Sequence, residues 1–240
     1  MSDQYVQSTS AGNTSSTATA TLNGVTAGNT IVAFLVDTSD SNPSTHTVAD
    51  GQGSYTQGNA AGDSAHFEWV STYYLVNANA GTHAVVGTVT SGNGILLVVA
   101  EIGAPTSSSV PASGTAANDQ ASPGTGTDAL TSTTCTTTGN STLVGLSLDV
   151  ASGSASDEPA HGTGFSTRLQ ANDSNAGPWT LETGAKSSSA AATFTAITGT
   201  NNFLTGGVMV LNPGTGFVPD EDILPDTLAT VVAPWVSIWG

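Results

Sequence analysis

One strand-length pattern occurs twice in the chain. Gly28-Asn29-Thr30-Ile31-Val32-Ala33-Phe34-Leu35-Val36-Asp37 is echoed by Gly139-Asn140-Ser141-Thr142-Leu143-Val144-Gly145-Leu146-Ser147-Leu148-Asp149. Each copy leaves a turn, runs through an apolar stretch too short for most helices, and stops at an aspartate. Some forty residues after the start of each copy a tryptophan opens another strand, Trp69 in the first and Trp179 in the second. A Thr-rich hairpin is expected to follow, His83–Thr90 or Ala191–Thr198, and an apolar strand closes each half, Ile95–Ile102 or Phe203–Leu211. Two like halves of short strands predict an all-β fold. Neither half is expected to close alone, because its strands carry one apolar face and open edges. Pairing the halves face to face buries both.

The expected architecture is a single antiparallel β-sandwich, jelly-roll-like, built of two similar halves. Residues 1–24 form an N-terminal segment and first strand. The sandwich occupies 25–211, with halves 25–103 and 130–211, and 212–240 forms an extended C-terminal arm. Strands are predicted at 16–22, 30–37, 66–76, 83–90 and 95–103, and again at 130–137, 141–150, 164–170, 178–186, 191–198 and 203–211. Turn residues punctuate them. Asn93-Gly94 predicts a tight hairpin between His83–Thr90 and Ile95–Ile102, and Asp50-Gly51 and Asn23-Gly24 are similar signals. Thr17-Ala18-Thr19-Ala20-Thr21-Leu22 alternates as a strand with one wet face does. Segment 104–129, rich in Pro, Ser, Gly and Ala, reads as a long surface crossover.

Composition narrows function. The chain has 240 residues, 18 acids and only two bases, Arg168 and Lys186, for a net charge of −16. Such a surface repels nucleic acid and anionic lipid, so neither is an expected partner. Thr and Ser number 38 and 29, so solubility rests on hydroxyls more than on charge. The single Cys135 can form no internal disulfide and supplies no zinc site. The N-terminus, Met-Ser-Asp-Gln-Tyr-Val-Gln, lacks the basic-then-apolar pattern of a secretory leader, and no apolar run is long enough to span a bilayer.

The search for chemistry yields little. Gly145-Leu146-Ser147-Leu148-Asp149 lacks the second glycine of a nucleophile elbow. Four histidines, His46, His66, His83 and His161, show no metal-ligand spacing. Asp37-Thr38-Ser39-Asp40-Ser41-Asn42 offers oxygen ligands but misses the calcium-loop pattern. Glu68, Glu101 and Glu182 fall in predicted strands and are expected to face solvent; two such acids, with Glu68 and Glu182 flanking the tryptophans, would suit glycoside hydrolysis. Gly206-Gly207 and Gly124-Thr125-Gly126 have neither a following helix nor a lysine to cradle phosphate. No catalytic residue, metal or cofactor is expected.

The layout of Gly28-Asn29 with its apolar strand, Trp69–Asn77, Ala80–Val86 and Ile95–Ile102 resembles β-sandwich modules of bacteriophage structural proteins and bacterial extracellular proteins. Gly139–Asp149, Gly164–Arg168, Trp179–Glu182 and Ala191–Thr195 extend the resemblance over about 25–211. It implies a structural or binding unit without catalytic residues. The expectation is a virion structural protein, a capsid decoration or cement protein on the outer surface of a phage. It would be a homo-oligomer, a trimer by analogy, seated on a major capsid protein or another virion protein. The tail carries Leu228, Val231, Val232, Trp235, Ile238 and Trp239, expected to dock on a neighbouring subunit, since tryptophan anchors interfaces well. The alternative is a secreted adhesin, or a fibre's receptor-binding module, binding carbohydrate through exposed Trp69, Tyr73, Tyr74 and Trp179.

Overall fold

The computed structural model describes residues 4–38, 46–63, 68–90, 94–103, 112–118, 129–131, 141–149, 160–161, 163–174, 176–186, 193–195 and 204–211. Every regular element among them is a β-strand, and the pairings between them are antiparallel. The first half holds a five-stranded sheet of β1 (Tyr5–Asn13), β9 (Ile95–Ile102), β3 (Thr30–Asp37), β7 (Glu68–Leu75) and β6 (Thr56–Asp63), in that order. Its companion sheet is β2 (Thr17–Val25), β8 (Gly81–Thr88), β4 (Thr47–Asp50) and β5 (Gly53–Ser54). The second half holds β10 (Ala112–Asn118), β17 (Leu204–Leu211), β12 (Ser141–Asp149), β15 (Gly177–Lys186) and β14 (Ser166–Asp173). Its smaller sheet is β11 (Ala129–Thr131), β16 (Thr193–Thr195) and β13 (Ala160–His161). Read strand by strand, the halves have the same order, β5 being an addition to the first.

The two five-stranded sheets pack face to face. Val32, Phe34 and Val36 of β3 and Leu96, Val98 and Ile102 of β9 share one core with Val144, Leu146 and Leu148 of β12, Trp179 and Leu181 of β15, and Met209 and Leu211 of β17. The edges match as a two-fold arrangement requires, with β6 against β10 and β1 against β14. A second core lies inside the first half. Ile31, Ala33 and Leu35 of β3 and Ile95, Leu97 and Val99 of β9 meet Ala18, Ala20 and Leu22 of β2 and Val85 of β8. In the second half the short sheet touches the outer side of its large sheet, β11 on β17 and β13 on β14 and β15. The molecule is therefore a sandwich whose two inner sheets are each covered again from outside.

This layering explains the strand sequences. β3 and β9 are buried at every position, since they pack on both faces, and a strand buried on both faces reads as a continuous apolar run. β2 has one wet face, and its burial alternates accordingly. Each large apolar side chain so enclosed stabilises the fold by about 1.5–3 kcal/mol.

Four expectations need correction. The strands of a half do not all carry a single apolar face: β3 and β9 are buried on both, and the first half closes over a core of its own. Segment 104–129 is not simply a surface crossover, because β10 within it pairs with β17, Thr115 opposite Val208. Asn93-Gly94 does not join a hairpin: β8 pairs with β2 and β4, β9 with β1 and β3, so the chain crosses between sheets there. Asn23-Gly24 marks a bulge, the register of β2 shifting between Leu22 and Val25 with Gly24 at φ +67°. Asp50-Gly51 does make a tight turn between β4 and β5. The arm residues Leu228, Val231, Val232, Trp235, Ile238 and Trp239 lie outside the described residues, as do Cys135 and His66.

Candidate functional site

The polar groups of the first half converge between its two sheets. β3 and β7 pair with Leu35 opposite Ser71, so Asp37 and Ser71 face the same side. His46, just before β4, drops between them. Its Nε2 lies 3.2 Å from Asp37 Oδ2 and its Nδ1 3.0 Å from Ser71 Oγ. The Tyr73 hydroxyl donates to the His46 carbonyl at 2.7 Å, and burial pushes that phenol well above its usual range. Serine, histidine and aspartate are the residues of a hydrolytic triad. Here the serine faces Nδ1 and the carboxylate Nε2, the reverse of that arrangement, and Ser71 is 0% exposed. No substrate carbonyl reaches such a hydroxyl, and the cluster ties the outer sheet to the inner one.

A second histidine sits at the other end of β4. The Asp50 carboxylate accepts from the amides of Gln52 (2.7 Å) and Gly53 (2.8 Å) through Oδ1, which closes the β4–β5 turn. Its Oδ2 takes the Tyr55 hydroxyl at 3.1 Å and lies 2.6 Å from His83 Nδ1. Burial alone would raise this carboxyl; the bonds from His83, Gln52, Tyr55 and Gly53 together hold it below its ordinary value. The Tyr55 phenol is pushed up by burial and by the Asp50 charge.

Glu101 is the third buried acid. Its Oε1 accepts from the Thr26 amide at 2.9 Å and from Asn29 Nδ2 at 2.6 Å, and its Oε2 from Gln7 Nε2 at 2.6 Å. Neutral donors thus satisfy both oxygens of a buried acid. Glu101 and Glu182 are both fully buried, so neither faces solvent as the sequence suggested, and the side chain of Glu68 is outside the described set. Asp37, the first acid of the possible calcium loop, is engaged with His46. Among the described residues no group of three or more His, Cys, Asp or Glu could hold a metal ion, and no helix is long and apolar enough to cross a membrane.

The proposed sugar platform does not assemble. Tyr73, Tyr74 and Trp179 are buried, Tyr74 and Trp179 in the core shared by the halves and Tyr73 in the core within the first. A ring enclosed on both faces cannot stack on a sugar. Trp69 is half-buried. The two tryptophans are also not equivalent. Val36 is opposite Val70, whereas Leu148, its counterpart in the shared core, is opposite Trp179. The one-residue offset turns Trp69 to the other face of its sheet.

The outward face of the four-stranded sheet is a field of hydroxyls and small side chains. Thr17, Thr19 and Thr21 of β2 point out, and Thr17 and Thr47 flank Thr88 in one row across three strands. Among the described residues of these strands no aromatic or charged side chain joins them on that face. Of the two bases, Arg168 is folded onto the Tyr5 ring, 4.6 Å from its centroid, and its Nε donates to Thr183 Oγ1 at 2.6 Å. It links β14 to β1 across the join between halves. No protein-family model matches this chain, and no curated protein matches it significantly.

Proposed function

We propose that this chain is a non-enzymatic structural protein of a virion, a decoration or cement protein on the outer surface of a bacteriophage capsid. The observation that carries the reading is the charge balance: −16 overall, with one of the two bases held against Tyr5. An acidic surface suits the outside of a shell, because the inside faces packaged nucleic acid and needs cations. The inward use of His46, Asp37, Ser71, His83, Asp50 and Glu101 supports a role through shape and contact. In this reading the protein is a homo-oligomer, a trimer, on a major capsid protein. The segment from Leu228 to Trp239 is the arm that docks on a neighbour, as closed symmetric assembly allows. The alternative, a secreted carbohydrate-binding module, is weakened by the burial of Tyr73, Tyr74 and Trp179.

Light scattering on the full chain, together with sedimentation alongside purified phage heads, tests the proposal. It expects a closed oligomer that co-sediments with heads. Deleting 218–240 should abolish assembly or attachment and leave the sheet signal of the sandwich unchanged. A monomer that ignores capsids, or a truncated chain that assembles normally, overturns it.

A further inference from the structure

His83 presents a hydrogen-bond count that only one proton inventory satisfies. Its Nδ1 lies 2.6 Å from Asp50 Oδ2 and its Nε2 lies 2.9 Å from the carbonyl oxygen of Asn79. A carbonyl only accepts, and an ionised carboxylate only accepts. A neutral imidazole has a single N–H and can serve one of the two. Both contacts therefore need both nitrogens protonated. Asp50 cannot relieve this cheaply, because its two oxygens already receive Gln52, Gly53 and Tyr55 as well. The side chains of His83 and Asp50 are closed to solvent, so no water replaces a lost partner at low cost. His46 differs: a neutral ring can donate from Nε2 to Asp37 and accept at Nδ1 from the Ser71 hydroxyl.

We infer that both ring nitrogens of His83 carry a proton, and that this pair of N–H donors is a clasp that adds to the β4–β8 ladder in fastening the β4–β5 hairpin to β8. Loss of the proton breaks either the bond to Asn79 or the bond to Asp50. The second outcome also releases the carboxylate that closes the turn, leaving the side chain of Gln52, bonded to the Thr82 carbonyl at 2.7 Å, as a remaining tie from the turn to β8. Asp50 and Tyr55 are the titratable groups bonded in this cluster. Among the described residues, the others turned into the same interlayer space are Asp37, His46 and Tyr73 at the far end of β4, and Glu101 on β9, and each has bonds of its own. Opposite His83 on β2 stands the apolar Leu22.

Histidine ring ¹⁵N spectra of the full chain near neutral pH should show both nitrogens of His83 protonated. In His83→Gln, whose amide donates from one nitrogen only, the Gln52 and Gly53 amide signals should shift and the urea midpoint should fall. A His83 ring with one bare nitrogen near neutral pH, hairpin amides unmoved in the variant, or an unchanged urea midpoint would overturn the inference. The spectra of the unaltered chain decide it even if the variant fails to fold.

Discussion

The two halves of this molecule share a strand order and differ in how they spend their polar residues. The first half, β1 to β9, seals two histidine–aspartate contacts and Glu101 between its sheets. In the second, Arg168 reaches back to Tyr5 and Trp179 fills the common core. The comparison teaches that the shared interface is what the two halves build alike. Both halves offer it a β-branched or leucine-rich strand, β3 or β12. The other side of each large sheet meets the short sheet of its own half.

The largest expected effect tests whether that common core makes the halves one cooperative unit. Phe34→Ala from the first half and Trp179→Ala from the second should each cost about 3–5 kcal/mol, and each should shift one single urea transition seen by circular dichroism. Two separated transitions, with only one displaced, would mean that the halves fold independently. Next comes a buried acid of the first half. Glu101→Gln replaces an acceptor by an amide facing the donors Gln7 and Asn29, and should cost about 1.5–3 kcal/mol in the same assay. A neutral result would mean that these donors turn to other acceptors.

A smaller effect probes how closely the halves approach. A Cβ at Gly207 of β17 would stand 3.1 Å from Thr72 Cγ2 and 3.4 Å from Val70 Cγ1, both on β7. Gly207→Ala should destabilise by about 1 kcal/mol, the low end of overpacking, since a methyl has to move only slightly. Stabilisation instead would show slack at the join. The smallest effect is the acid limb. Because the Asp50 carboxyl sits below its ordinary value of 3.8 in the folded chain, the stability it adds is present above that value and is lost as pH falls through the lowered one. Asp50→Asn should remove that part of the acid dependence, and an unchanged acid limb would assign it to acids elsewhere.

Much of the fold was legible in the residues. The runs at 30–37, 95–102 and 141–149 announce strands, and the echo between Gly28 and Gly139 announces two like halves. β1, β6 and β10 were not legible. Each is an edge strand held by one neighbour, and sequences such as Thr56-Gln57-Gly58-Asn59-Ala60-Ala61-Gly62-Asp63 carry almost no strand propensity. The polar clusters were hidden for another reason. Asp37, His46 and Ser71 come from three separate segments, and only the β3–β7 register sets the aspartate and serine on one face. The tryptophans misled in the same way, since position along the chain does not reveal an offset of one.

By itself the sequence determined the all-β class, the doubling, the acidic hydroxyl-rich surface and the inner strands. These follow from side-chain chemistry and local period, which need no partner to be read. Tertiary structure alone decided that each inner sheet is covered twice, that Tyr73, Tyr74 and Trp179 turn inward, and that His83 meets two acceptors. Those outcomes depend on which strands pair and in what register, and a shift of one residue reverses every face.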